Sequence, residues 1–216
     1  MRPELVFREE GGRGVPLLVW RLPGAIPAIS SGPLGGGIGL RSWVINATVP
    51  MSYDRDDPDV HLGELAAALD LHGSGVGLMT GVDVAGVVTV DEGGVRVWAT
   101  VGLSNAVQAA RLDEEDDAEK VGTINVVAYV PARLSDAALV NAVATVAEAK
   151  VQALRELGLD ATGTSTDATC VLVADGPTGS GELYGGPRSR WGRPLARAAY
   201  RSILAFDPNR RPWSDR

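Results

Sequence analysis

From Gly163 to Ala174 the chain reads Gly-Thr-Ser-Thr-Asp-Ala-Thr-Cys-Val-Leu-Val-Ala. Thr164, Ser165, Thr166 and Asp167 place three hydroxyls and a carboxylate in four consecutive positions, and a β-branched, apolar run follows at once. That order predicts a tight polar turn feeding a buried strand. It holds hydroxyls and backbone N–H groups at the rim of a rigid sheet, where chemistry is often placed. A lone Asx- or Ser/Thr-turn would give the same short pattern and only shape a loop. This one has company. Val95–Val101 runs directly into Gly102-Leu103-Ser104-Asn105, and Gly122-Thr123-Ile124-Asn125 opens another apolar run with an internal Asn.

The remaining apolar runs have the same short length. Leu5–Arg8 and Val15–Arg21 flank a Gly-rich turn and predict a hairpin, with Ala25–Ser30 as a further short strand. Trp43–Val49 reads as a strand with Asn46 at its middle, where Asn is poor unless its amide is satisfied. Val76–Asp83 follows, and Val87–Asp91 and Val95–Val101 form a hairpin across Glu92-Gly93-Gly94. Three segments carry helical signals. Asp56-Asp57-Pro58 opens one that runs to about Leu71. Ser135 caps the longest, which Gly158 ends. Trp191–Leu204 supplies the third. Strands come in hairpins or consecutive runs and the helices are widely spaced, so regular β-α alternation is absent. The pattern gives an α+β fold: one layered domain, about nine short strands in largely antiparallel sheets, and about three main helices packed outside. Residues 1–206 make that domain, and 207–216 form a polar, Arg-rich tail.

Composition narrows the partners. The 216 residues are 45% apolar and 22% charged, with a net charge of −7 and no basic cluster before the C-terminal arginines. Nucleic acid is excluded as an expected partner. No uninterrupted apolar run approaches the ~20 residues of a membrane span. Cys170 is the one cysteine, so no intramolecular disulfide forms, and a cytoplasmic setting is expected. His61 and His72 stand eleven positions apart rather than four, which offers no metal pair on one helical face. No metal and no cofactor are expected, and the oligomeric state stays open.

Six segments carry a resemblance. Pro33-Leu34-Gly35-Gly36-Gly37, Gly77-Leu78-Met79-Thr80, Val101–Ala106, Gly122–Asn125, Glu148-Ala149-Lys150 and Gly163–Ala168 occur in that order. Together they resemble the adenosylcobinamide amidohydrolase family of corrinoid salvage. The resemblance implies a small-molecule corrinoid substrate and hydrolysis of the amide between a corrin propionate and aminopropanol, yielding adenosylcobyric acid and 1-amino-2-propanol.

Amide hydrolysis needs a nucleophile or activated water, a proton carrier and donors for the oxyanion. The candidate catalytic residues are Ser104, Glu148, Thr164, Thr166 and Asp167: a hydroxyl nucleophile, or a water held by Asp167 or Glu148. Glu148 lies in an alanine-rich stretch, where partial burial would make it a usable acid or base. The candidate substrate-binding residues are Gly35, Gly36, Gly37, Asn46, Thr80, Asn105 and Asn125. Cys170, inside an apolar run, reads as a small core residue. Two alternatives stay open. One is a corrinoid- or nucleotide-binding protein without catalysis. The other is a self-processing N-terminal-nucleophile hydrolase cleaved between Gly163 and Thr164.

Overall fold

In the computed structural model, which describes residues 1–104, 106–111, 122–176 and 181–207, the chain begins with a hairpin. Strand β1 (Glu4–Glu10) turns at Gly11 and Gly12, both at positive φ, into β2 (Arg13–Ser30). β2 absorbs the separate strand expected at Ala25–Ser30. Its register against β3 (Gly37–Thr48) slips between Arg21 and Ile26, across Pro23-Gly24. Such irregularities bend a strand. The bend lets one strand serve two halves of a sheet.

The order then runs α1 (Pro58–Ala68), β4 (Gly75–Thr80), β5 (Val88–Glu92), β6 (Val95–Val101), β7 (Ala106–Val107), β8 (Ile124–Val130), α2 (Asp136–Glu156), β9 (Gly163–Thr164), β10 (Ala168–Val173) and α3 (Gly192–Leu204). Among the described residues, eight strands form one sheet in the order β4-β3-β2-β10-β8-β6-β5, with β1 paired to β2; β7 and β9 form a separate pair. Pairing in the large sheet is mostly antiparallel. The exceptions are β3 with β4 and β8 with β10, and a helix lies between the members of each parallel pair. Parallel neighbours require such a crossover. This is an α+β fold with three helices among the described residues, as the spacing of the apolar runs predicts.

Both faces are covered along β4, β6, β8, β10 and the buried parts of β2 and β3, so these read as continuous apolar runs, whereas β1 and β5 alternate with solvent. Leu17 and Val19 of β2 face α1 together with Ile45, Leu62 and Ala66. The alternate residues Leu18 and Trp20 face inward, against Val44, Leu78, Trp98, Val127 and Cys170. Trp20 and Trp98 meet edge to face at 5.7 Å across this inner layer. The other side of β6, β8 and β10 packs Val97, Ala128 and Val171 on Leu139 and Val146 of α2 and Leu195 and Ile203 of α3.

Element ends follow local chemistry. Ser135 Oγ accepts from Ala138 N at 3.2 Å, and Gly158 takes φ +76° just past α2, the two ends expected. α2 is long and apolar enough to span a bilayer by length and composition, yet here its core-facing side chains pack on the sheet. α1 stops at Ala68 rather than near Leu71, because the chain turns at Asp70, which takes φ +55°. Within the Val76–Asp83 stretch β4 ends at Thr80, and Val84–Gly86 forms a 3-10 turn capped by the Asp83 carboxylate. α3 starts at Gly192, one residue after the expected Trp191.

Candidate active site

β8 and β10 run parallel, with Ala168 opposite Asn125, so both strands begin at the same edge of the sheet. Asp167 is the last residue before β10, and its carboxylate lies beside the first N–H of β8. Ile124 N donates to Asp167 Oδ1 at 2.8 Å, and Thr164 N donates to Oδ2 at 2.9 Å. The Thr164 hydroxyl donates to Oδ1 at 2.5 Å. Lys150 Nζ, reaching in from α2, donates to Oδ2 at 2.6 Å. Each carboxylate oxygen thus accepts two bonds, one of the four from a cation. The Asp167 and Lys150 side chains are 11% and 17% exposed, so water screens this pair much less than a surface pair.

Gly163 makes the arrangement sterically feasible. A Cβ at that position would collide with both Asp167 Oδ2 and Lys150 Nζ. The requirement at Gly163 is therefore room for an ion pair rather than backbone freedom. β9 in turn pairs with β7, Ala106 opposite Thr164. Upstream, Gly102 N donates to Thr123 O at 2.9 Å. The exposed Ser104 lies between these two anchors, so its segment is tied to both the Thr123 and the Thr164 strand ends. Thr166 Oγ donates to Gly122 O at 3.3 Å and lies 2.7 Å from the buried Thr123 Oγ. The strand starts at Gly122–Asn125 and Thr164–Asp167 meet through Thr123, Ile124, Thr166 and Asp167, and the Ser104 segment is tied to both, while the Asn125 side chain turns away to Asn46 and Met79 O.

Glu148 does not join them. It is exposed, which corrects the expected partial burial. On an α-helix two positions turn a side chain by roughly 200°, so Lys150 faces the sheet and Glu148 faces away. Lys150 and Thr123 carry no role in the sequence reading. The signal for Lys150 was its place in the apolar stripe Val143, Val146, Lys150, Leu154, where a lone cation demands a partner.

A model of the adenosylcobinamide amidohydrolase family matches residues 3–206. The chain belongs to that family. It is 29% identical over 191 residues to an adenosylcobinamide amidohydrolase of Methanosarcina mazei, covering 85% of this chain and 91% of that one. A protein of the same name from Halobacterium salinarum is 38% identical over 136 residues, 59% of this chain and 57% of its own. An uncharacterised protein of Methanocaldococcus jannaschii is 37% identical over 94 residues, 40% of this chain and 36% of its own. Among solved structures, the PH0078 protein of Pyrococcus horikoshii superposes with a TM-score of 0.46 at 11% identity, over 94% of this chain and 81% of that one. Membership in this family makes the chain a hydrolase acting on an amide.

Asn46 and Asn125 are buried and bonded to each other. Asn125 Nδ2 donates to Asn46 Oδ1 at 2.9 Å and to Met79 O at 2.8 Å, while Asn46 Nδ2 donates to Thr100 Oγ1 at 3.0 Å. The two amides bridge the halves of the folded-over sheet directly behind the first residue of β8. Asn125 Oδ1 is buried without a hydrogen-bond partner among the described residues. Thr80 is buried, and its hydroxyl accepts from Val82 N at 3.2 Å. In the Gly35–Gly37 run, Gly35 takes φ +69°, and a Cβ there would collide with Gly75 O, leaving no space for a side chain. The Gly35 and Gly36 carbonyls accept from the Arg41 guanidinium. Asn105 lies outside the described residues, as does the acidic run Asp113–Glu119.

Cys170 lies in the inner layer, where burial pushes its thiol up to about 12, far from a usable thiolate. His72 is exposed beside Asp70. His61 is buried and stacked on Tyr53, with Nδ1 3.1 Å from the Tyr53 hydroxyl. Burial lowers its pKa below the usual histidine value. It borders a cleft of about 500 Å³ formed by the N-terminal hairpin, the loop before α1, and α1 itself. None of the five candidate catalytic residues lines that cleft. Among the described residues no three His, Cys, Asp or Glu side chains are grouped to hold a metal ion.

Proposed function

We propose that the chain hydrolyses adenosylcobinamide at the amide between the corrin-ring propionate and aminopropanol. The products are adenosylcobyric acid and 1-amino-2-propanol, and the reaction lets a cell rebuild incomplete corrinoids into its own coenzyme. The observation that carries this reading is the Asp167 carboxylate, held by four donors at the start of two parallel strands. Amide cleavage needs a hydroxyl or water held against a fixed proton carrier. The Thr164 hydroxyl already donates to this carboxylate. Backbone N–H groups and hydroxyls at the neighbouring strand ends supply donors of the kind an oxyanion requires. The family and the Methanosarcina mazei relative support the corrin amide as the bond attacked.

The self-processing alternative requires a free Thr164 amine. In the uncleaved chain the Thr164 peptide N–H donates to Asp167, and the expectation is an intact chain. Purified protein incubated with adenosylcobinamide is expected to release 1-amino-2-propanol, read by mass spectrometry, while its own intact mass remains that of one chain. Binding of adenosylcobinamide without release would convert the reading to a corrinoid-binding protein. Two fragments meeting at Gly163/Thr164 would establish the processed form.

A further inference from the structure

We infer that Thr164 is the nucleophile, that it forms an acyl-enzyme, and that Lys150, seated in the notch left by Gly163, is the positioning residue that aims Asp167 at it. The inference rests on the amide-hydrolase reading above and assigns the roles within it. Three hydroxyls were candidates. Thr166 is engaged with Gly122 O and Thr123, and Ser104 lies at an exposed turn. Thr164 Oγ1 donates to a carboxylate oxygen, the arrangement that removes a proton as the oxygen attacks.

The four bonds divide between the two carboxylate oxygens in a way that gives them separate tasks. Oδ2 takes Lys150 and the Thr164 N–H, while Oδ1 takes the Ile124 N–H and the Thr164 hydroxyl. Lys150 bonds the oxygen that does not face the nucleophile, so its charge fixes the rotation of the carboxylate without blocking the proton path. Gly163 leaves the space that the ammonium fills.

The steps balance. Thr164 Oγ forms a bond to the amide carbon, and its proton passes to Asp167 Oδ1. The tetrahedral intermediate collapses with cleavage of the C–N bond, and the proton moves from Asp167 to the departing amine. Water then attacks the Thr164 ester and gives a proton to Asp167. The ester C–O bond breaks, and that proton returns to Thr164 Oγ. The sum is amide plus water giving acid plus amine, with Asp167 and Thr164 regenerated.

The test has two arms. In the first, protein turning over adenosylcobinamide is quenched in acid and its peptides are mapped, with hydroxylamine added in a parallel reaction. The expected result is a corrinoid acyl group on the peptide carrying Thr164, and a hydroxamate product. In the second, 4-nitrophenyl acetate replaces the corrinoid, and acetyl transfer to Thr164 is mapped in the same way. Thr164→Ser is expected to keep the adduct and much of the turnover. Thr164→Val, its folding checked by thermal melt, is expected to lose both, with turnover reduced on the order of 10³-fold or more. Lys150→Met is expected to lower kcat on the order of 10²-fold with little change in KM, as misplacement of a catalytic group does. Lys150→Arg is expected to restore part of that loss, which a purely structural role for the pair would not predict of kcat alone. Wild-type turnover by folded Thr164→Val overturns the inference, as does absence of Thr164 adducts in both arms. Acetylation of Thr164 without release of aminopropanol supports the nucleophile and overturns the corrinoid reading instead.

Discussion

Two polar regions of this chain differ in ways that matter for finding an active site. The cleft bordered by His61 is roomy, contains a histidine, and is built from a hairpin, a loop and one helix. Of its two cations, Arg8 pairs with Glu10 and Arg55 is shared between the exposed carboxylates of Asp57 and Glu64. The Asp167 centre occupies a strand edge, but four donors from β8, β9 and α2 converge on one nearly buried carboxylate. Volume and chemistry have separated. Loops leave space between elements. At the Asp167 centre the Ile124 N–H of β8 and the Thr164 N–H of β9 point at one carboxylate and hold it in one orientation. The first region offers a cleft of about 500 Å³. Convergent polar groups point to the second.

The sharpest way to break that contrast is Asp167→Asn. The amide must turn an NH₂ toward one pair of donors, either Lys150 with Thr164 N or Ile124 N with the Thr164 hydroxyl. It also leaves the Lys150 ammonium nearly buried without its counter-charge. A stability loss of about 2–3 kcal/mol is expected, together with a fall in single-turnover amine release by a factor on the order of 10²–10⁴. Release near the wild-type rate from the folded variant would remove Asp167 from the chemistry and make the centre a structural knot.

Gly163→Ala ranks next. The new methyl group meets the ion pair itself, so one member must shift. The expected cost is about 1–3 kcal/mol in the melt. Turnover should fall more than the fraction unfolded explains, because the carboxylate is re-aimed. A variant that melts lower but turns over normally per folded molecule would show that the exact placement of Lys150 does not matter.

These variants also mark where sequence reading ended. The strand starts at Ile124 and Ala168 were legible, because Gly, Thr and Asp abut β-branched runs there. So were both ends of α2, where Ser135 and Gly158 act through bonds to their own neighbours. Lys150 is not, although its motif is part of the family resemblance. A pattern of composition shows that a cation interrupts an apolar stripe, and only the packing of α2 on the sheet shows what it meets. Glu148 failed for the same reason in reverse, since an alanine-rich neighbourhood says nothing about which side of the helix faces out. Asn46 and Asn125 read as anchors for a ligand, whereas the bend in β2 brings them onto each other. That bend is a long-range event written locally only as Pro23-Gly24.

Thr100→Val sharpens the distinction between the centre and the bridge behind it. Valine keeps the shape but removes the acceptor for the buried Asn46 Nδ2. An unpaired buried N–H costs about 1–3 kcal/mol. Amine release per folded molecule is expected to stay within a factor of about three, since additivity fails mainly between groups that share partners. A large loss of turnover without a change in melting would extend the active site inward to the Asn46–Asn125 bridge.

The smallest effect belongs to the cleft. Burial lowers the His61 pKa, so the folded chain keeps this ring neutral where the unfolded chain takes up a proton below about 6.5. The unfolded state then binds more protons, and stability rises with pH across that window. The contribution is fully present above the unfolded value and is lost as pH falls from there through the lower folded value. His61→Phe keeps the stacking on Tyr53 and removes the titration. Melting temperatures of both proteins between pH 7.5 and 5 should therefore fall less steeply for the variant, with amine release at pH 7.5 unchanged. Parallel curves would mean that His61 does not titrate differently on folding. A loss of turnover at constant stability would reverse the comparison and bring the cleft into the catalytic region.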